Sequence, residues 1–292
     1  MQITVTGATG HLGSLVVEHL LKRGVAASDI VATGRSVDAL AGLADRGVRT
    51  VQADYDDVAS LQAAFAGTDT LVLVSSSVVG QRARQHGNAI TAAAGAGVTH
   101  VVYTSAPHAD TSTLILAPEH KATEELLRDA PFDATVLRNN WYNENYEQAF
   151  AQAAQSGSYL ASTGDGRVAS AARTDFAEAA AIVAATDRHR GETLELAGDT
   201  AWDGAAFADT ASDVLGRPVA FRPVDSATHQ QILLSAGLDE GTVGFLVALD
   251  ANIAQGLLDG PSTVLSDLLG RPTTPLRDTM KVWADRSGTA TP

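Results

Sequence analysis

The chain has 292 residues, no cysteine and a formal net charge of −14 at pH 7. That length accommodates a nucleotide-binding domain together with a lobe of its own. The charge disfavours a nucleic-acid backbone as ligand, and the missing thiols exclude disulfides, cysteine-ligated zinc and thiolate catalysis. No basic n-region with an apolar h-region precedes the first strand, and no apolar run approaches the ~20 residues of a membrane span. The expectation is a soluble, cytoplasmic protein with no membrane or nucleic-acid partner; a homo-oligomer stays open.

Met1 to Thr6 (MQITVT) alternates like a strand, Gly7-Ala8-Thr9-Gly10-His11-Leu12-Gly13 follows, and Ser14 to Leu21 has helical length and an apolar-rich pattern. Strand, glycine turn and helix in succession place backbone N–H groups and a helix N-terminus against a pyrophosphate. Gly7 allows the tight turn, Gly10 lets the phosphates approach, and Gly13 lets the helix pack closely on the strand. The spacing is G-x-x-G-x-x-G, not the G-x-G-x-x-G of the dinucleotide fingerprint.

Further strands are expected at 29–34, 48–54, 70–74, 98–104 and 134–138. Helices are expected at 37–45, around 61–65, at 81–96 and at 119–130. Thr70-Leu71-Val72-Leu73-Val74 is continuously apolar, as in a strand covered on both faces. The alternation gives an α/β fold, a doubly wound parallel sheet with a smaller, mainly helical C-terminal lobe, and ligands at the C-terminal ends of the strands.

Arg35 lies just beyond the second strand, where an Asp or Glu would favour NAD. A guanidinium there takes a 2′-phosphate through two parallel hydrogen bonds, which points to NADPH (NADP), although a surface arginine is the plain alternative. Asp54 and Tyr55 close the third strand beside the expected adenine. Asp54 is placed to accept from the adenine amino group and Tyr55 to cover a ring face; equally, an aspartate there caps a helix beginning near Asp57. Ser75-Ser76-Ser77 ends the fourth strand as either a nicotinamide-ribose contact or a solvated loop. Tyr103-Thr104-Ser105 ends the fifth, with Thr104 and Ser105 expected near the cofactor.

None of the tyrosines at 55, 103, 142, 146 and 159 has a lysine four residues on. The Tyr-x-x-x-Lys proton relay of ordinary short-chain dehydrogenases is therefore missing. A hydride acceptor that needs no strong general acid, such as a quinone or a cationic dye, fits better. After the sixth strand, Asn139 and Asn140 suit a carboxamide or carbonyl, and Trp141 and Tyr142 offer flat faces for a planar ring. The bland reading is an aromatic anchor between lobes.

Thr6 to Gly13, Gln52 to Tyr55, Ser75 to Gln81, His108 to Ser112, Leu137 to Tyr146 and Leu196 to Asp199 recur in an order that resembles the NmrA-like branch of atypical short-chain dehydrogenases. Within it the pattern is similar to the bacterial type-2 NAD(P)H:quinone oxidoreductases, with the triphenylmethane reductases as relatives. The resemblance runs to about Asp285. It implies NADPH, with Gly7, Thr9, Gly10, His11 and Leu12 at the pyrophosphate, Arg35 at the 2′-phosphate, and Ser75, Ser76, Ser77 and Asn139 near the nicotinamide. A planar small-molecule acceptor would lie by Trp141, Tyr142 and Asn145. His120 falls where isoflavone-reductase-like relatives carry a catalytic lysine; a histidine titrating near neutrality would donate or steer a proton there, or only hold the loop.

The expected domains are 1–150, with 171–198 returning to it, and a substrate lobe of 151–170 and 199–292 forming a cleft over the nicotinamide. Ser158 to Gly166 reads as a small-residue loop, Arg173 to Ala185 as a helix and Thr193 to Ala197 as a strand. Ser212 to Pro218 and Ser266 to Pro272 (SDVLGRP and SDLLGRP) read as one helix-stop device used twice, with glycine at C′ and proline beyond. The function expected is an NADPH-dependent reductase passing hydride to a quinone or similar planar electrophile. The alternatives are a non-catalytic NADP(H)-binding redox sensor, or a reductase of a dye, imine or enone.

Overall fold

The computed structural model describes residues 1–288. In chain order its regular elements begin β1 (Ile3–Val5), α1 (His11–Lys22), β2 (Ile30–Gly34), α2 (Ala41–Ala44), β3 (Arg49–Gln52) and α3 (Val58–Phe65). They continue with β4 (Thr70–Leu73), α4 (Arg82–Gly95), β5 (His100–Ser105), α5 (Ala117–Arg128), β6 (Asp133–Asn139), α6 (Glu147–Ser156) and β7 (Ser158–Ala161). The remainder are α7 (Arg173–Ala184), β8 (Thr193–Leu196), α8 (Gly204–Leu215), β9 (Ala220–Pro223), α9 (Ser226–Ser235), α10 (Glu240–Ala254), α11 (Val264–Leu269) and α12 (Leu276–Ser287).

The chain divides into two compact units. The first comprises Met1–Thr111, Leu116–Asn139 and Thr174–Leu196. Its parallel sheet has seven strands in the order β3-β2-β1-β4-β5-β6-β8. This is the doubly wound α/β architecture. The order reverses between β1 and β4, the switch point at which such sheets bind ligands beyond the strand carboxyl ends. β1, β2, β4 and β5 are buried along their whole lengths, which explains their apolar runs. One side of the core joins Leu61, Phe65, Leu71, Leu73, Ile90, Val101 and Tyr103. Val16, Val17 and Leu20 of α1 are fully buried as well.

The expected helix at 37–45 is a 3-10 turn, Asp38–Leu40, followed by the single turn of α2. No side chain caps either piece, and each is too short to accumulate helical hydrogen bonds.

The second unit comprises Ser112–Ile115, Asn140–Arg173 and the chain from Ala197 on. Phe150, Ala153 and Ala154 of α6 belong to its core, with Tyr159, Phe207, Met280 and Trp283. After the short excursion of Ser112–Ile115, the first unit runs to Asn139 and resumes at Thr174. Ser158 to Gly166 is not all loop: its first four residues form β7, paired in parallel with β9. Strands of four residues each, one ending in Pro223, leave too short a pattern to read.

Both helix stops of the second unit are built alike. Gly216 and Gly270 close α8 and α11 with left-handed φ of 63° and 67°. Arg217 N–H then returns to Ser212 O at 3.2 Å, and Arg271 N–H to Ser266 O at 3.3 Å. This is the 6→1 bond of a Schellman stop.

Candidate active site

The turn after β1 has the geometry its residues imply. Gly7 sits at φ +59°, where a side chain would be strained, and its carbonyl accepts from Gly10 N–H at 2.9 Å. A Cβ on Gly13 would overlap that carbonyl and stand 3.0 Å from Ala8 Cα, so only glycine lets α1 approach this closely. α1 starts at His11 with Gly10 as its N-cap, without a capping side chain and without an acid in its first turn. Helix N–H groups left without a side-chain cap, together with the positive end of the helix dipole, form an anion seat. Thr9, Gly10 and His11 are exposed there, and Leu12 is half-buried. These residues fit a pyrophosphate.

Arg35 is exposed one residue past β2, and its carbonyl accepts from Gln52 Nε2 at 3.2 Å. The cap of α3 is Asp57, not Asp54: the Asp57 carboxylate accepts from Ala59 and Ser60 N–H at 3.0 and 3.2 Å. Asp54 Oδ1 instead accepts from Asp56 N–H at 3.0 Å. The Tyr55 hydroxyl lies 2.6 Å from both Thr6 Oγ1 and the Val74 carbonyl. It is pinned to the ends of β1 and β4, and burial pushes its pKa up.

The residues after β4 and β5 are far more committed than a solvated loop. Ser75 N–H donates to Thr104 Oγ1 at 2.9 Å. Ser76 Oγ donates to Gln85 Oε1 at 2.5 Å, and Ser76 N–H to His86 Nε2 at 3.0 Å. Ser77 is exposed. Ser105 is buried, and its hydroxyl donates to Glu124 Oε1 at 2.6 Å. Thr104 thus holds the ends of β4 and β5 together, and the Ser105 hydroxyl ties β5 to α5.

His120, in the first turns of α5, is 5% exposed, and its Nδ1 lies 2.8 Å from the Tyr103 hydroxyl. Burial, then the Arg82 charge, pushes its pKa down to about 3. A histidine titrating near neutrality was expected; the buried imidazole is neutral throughout that range. Its partner Tyr103 is fully buried, edge-on to His86 at 5.4 Å between ring centroids.

Two features had no signal in the sequence. His86 reads there as one more residue of an amphipathic helix, yet its imidazole joins the β4 end to α5. Arg138, inside β6, reaches Glu124 at 2.6 Å, and Glu195 and Asp110 at 2.9 Å each. Burial works against its charge, but the hydrogen bonds it donates to Glu124 and Glu195 outweigh that and raise its pKa. Asn139, next along β6, is buried.

Within the second unit, Trp141 and Tyr142 are half-buried and Asn145 is exposed. The Arg173 guanidinium stands 5.3 Å over the Tyr142 ring, a cation–π contact that covers one of its faces. Asn143 is structural: its amide donates to Thr279 Oγ1 at 2.9 Å and accepts from Ser170 Oγ at 2.6 Å. Tyr146 is likewise an anchor, 4.6 Å from Trp202. An open pocket of about 420 Å³ lined by Thr163 to Arg167 and the end of α10 contains none of the expected site residues. Among the described residues no histidine and carboxylate cluster is arranged to hold a metal, and no helix is long and apolar enough to cross a membrane.

Residues 1–252 match the NmrA-like family. The chain belongs to that family. Quinone oxidoreductase 2 of Escherichia coli K12 is 44% identical over 95% of this chain and 97% of its own length. The crystal structure of an NADPH-dependent quinone oxidoreductase from E. coli in complex with NADPH superposes with a TM-score of 0.93 at 43% identity. The match covers 96% of this chain and 99% of that one. Citrobacter sp. triphenylmethane reductase complexed with NADP(H) gives a TM-score of 0.92 at 36% identity, covering 97% of this chain and all of the other. Family membership thus agrees with the doubly wound sheet order.

Proposed function

We propose that the protein is an NADPH-dependent oxidoreductase that reduces a quinone or a similar planar electrophile. The observation that carries this is the uncapped N-terminus of α1 behind the Gly7 to Gly13 turn, at the switch point of the sheet, in a chain 43% identical to a quinone reductase solved with NADPH. When bound, NADPH supplies the hydride.

The chain's own residues divide the remaining work. Gly7, Thr9, Gly10, His11 and Leu12 hold the pyrophosphate through backbone N–H groups. Arg35 takes the 2′-phosphate, and Asp54 and Tyr55 border the adenine. Ser75, Ser76, Ser77, Thr104, Ser105 and Asn139 shape the nicotinamide end, mostly by fixing backbone. Within the first unit His120 is assigned to the acceptor oxygen that is reduced; within the second, Trp141, Tyr142 and Asn145 offer flat and polar surface to a planar ring. The dye-reductase relative supports a flat, electron-poor acceptor as the substrate class. A cytoplasmic location goes with this reading.

Steady-state NADPH oxidation against a panel of small quinones and cationic dyes tests it. Turnover with at least one quinone is expected. Tight NADPH binding with no turnover for any acceptor would replace the enzyme with a redox sensor.

A further inference from the structure

Beneath the strand ends of the first unit lies a chain of hydrogen bonds whose donors can be assigned one by one. Ser76 N–H can only donate, so His86 Nε2, 3.0 Å away, accepts. Burial holds the His86 imidazole neutral, its pKa pushed down to about 3, so its one hydrogen sits on Nδ1. That Nδ1–H lies 2.9 Å from Thr123 Oγ1 and donates to it. Thr123 passes its own hydrogen to the Glu119 carbonyl at 2.9 Å.

This order decides the Tyr103 hydroxyl. His86 Nδ1, 3.5 Å from it, already carries a hydrogen and cannot accept. Ser75 Oγ is buried and has no hydrogen-bond partner among the described residues. The Ser75 and Thr123 hydroxyls also neighbour the phenol, but the acceptor at short hydrogen-bond distance is His120 Nδ1, 2.8 Å away. Burial raises the Tyr103 pKa, so the phenol keeps its proton to donate.

We propose that Tyr103 is a positioning residue that holds His120 in the Nε2–H tautomer, so that a neutral imidazole N–H is the donor offered to the acceptor oxygen. The second half of this rests on the quinone-reductase reading. His120 then acts as an electrostatic donor rather than an acid. The acceptor takes a hydride from the reduced nicotinamide, the Nε2–H hydrogen-bonds to the oxygen on which negative charge develops, and the completing proton comes from water. Full transfer from His120 would leave an imidazolate or a buried phenolate, and the site opposes both.

The charged and titratable groups facing this pair are Arg82 and His86 from α4 and Glu124 from α5. None of them is arranged to deliver a proton to His120 Nδ1 in place of Tyr103.

Long-range 1H–15N spectra of the intact, acceptor-free protein test the tautomer, with His120→Gln to assign the signal. The expected result is a single Nε2–H tautomer from pH 5 to 8. A signal from the Nδ1–H form, or protonation near pH 6.5, overturns the inference. With Tyr103→Phe, the freed Nδ1 is expected to protonate at higher pH. In that variant kcat should fall roughly tenfold, less than the ~100-fold cost of losing a whole donor, with KM for NADPH unchanged. An unchanged His120 titration and unchanged kcat in that variant also overturn it. The wild-type spectrum reads the tautomer even if Tyr103→Phe folds poorly. Absent quinone turnover with the Nε2–H form intact overturns the offer to an acceptor and the quinone reading together, while the Tyr103–His120 lock stands.

Discussion

Arg138 and Glu124 face each other as a fork: Nε to Oε1 at 3.0 Å and Nη2 to Oε2 at 2.6 Å, with both side chains at most one-tenth exposed. The pair ties β6 to α5, the helix that carries His120. Removing the carboxylate leaves a guanidinium largely out of water. Glu124→Ala should therefore cost about 3 kcal/mol of stability, at the lower end for a broken buried pair because Glu195 and Asp110 remain. Glu195→Gln, at a more open position, should cost under ~1 kcal/mol. Urea unfolding of the two variants checks the contrast; equal losses would mean that Arg138 is anchored by all its acids alike.

The proposed role of Arg35 is to govern the choice of cofactor. Replacing it with alanine deletes charge-assisted bonds to a 2′-phosphate and nothing that NADH uses. NADPH affinity should fall by about 2 kcal/mol, roughly 30-fold, while NADH affinity stays level. Fluorescence titration with both cofactors reads the ratio, and an unchanged ratio would remove Arg35 from the site.

Gly13 is a close-approach position rather than a flexible one. Gly13→Ala places a methyl group into the Gly7 carbonyl, so the turn or the helix must move. The expected loss is about 1–3 kcal/mol in stability, the range for overpacking, together with weaker NADPH binding because the same N–H groups are displaced. Thermal unfolding with and without NADPH separates the two effects: the stabilisation by cofactor should shrink as well as the melting temperature.

Acid should unfold the protein through its histidines. Burial pushes His86 and His120 down to about 3 and His100 to about 4. In the unfolded chain each takes up a proton near pH 6.5, while the folded chain does not until far lower. The unfolded state therefore binds more protons across that window. Stability is complete above about pH 6.5 and falls as pH drops toward 4, by up to about 1.4 kcal/mol per pH unit for each histidine. His100 Nε2 contacts Thr135 Oγ1 at 2.9 Å. Urea titrations from pH 7.5 to 4.5 should show a shallower slope in His100→Gln than in the wild type.

Much of the first unit was legible because its physics is local. A strand buried on both faces must be apolar along its length, as Leu71 to Leu73 are, and a turn on which a helix packs this closely must place glycine where Cβ cannot fit, as at Gly13. The paired helix stops were legible for the same reason: a Schellman closure involves only residues within six of one another. β7 and β9 were not legible, because each exists only through a partner about sixty residues away in the chain.

The polar side chains of the site divide along the same line. Arg35 and Ser77 stand exposed at their strand ends, where position in sequence is nearly position in space. For Tyr55, Ser76 and Ser105 residue type and strand-end placement point to a ligand, and for His120 the family resemblance does. What the sequence does not show is that their hydroxyls and rings also engage Thr6, Gln85, Glu124 and Tyr103, on elements brought together only by folding.

By itself the sequence determined the α/β alternation, the glycine turn, the arginine at the second strand end and the absence of a Tyr-x-x-x-Lys relay. Each depends on residue types at short spacing. Tertiary structure alone decided that His120 is a buried neutral imidazole against Tyr103, that His86 carries its hydrogen on Nδ1, and that Arg138 is held by three acids. A protonation state depends on burial and on which donors face which acceptors, and both arise only when strands and helices distant in sequence close upon one another.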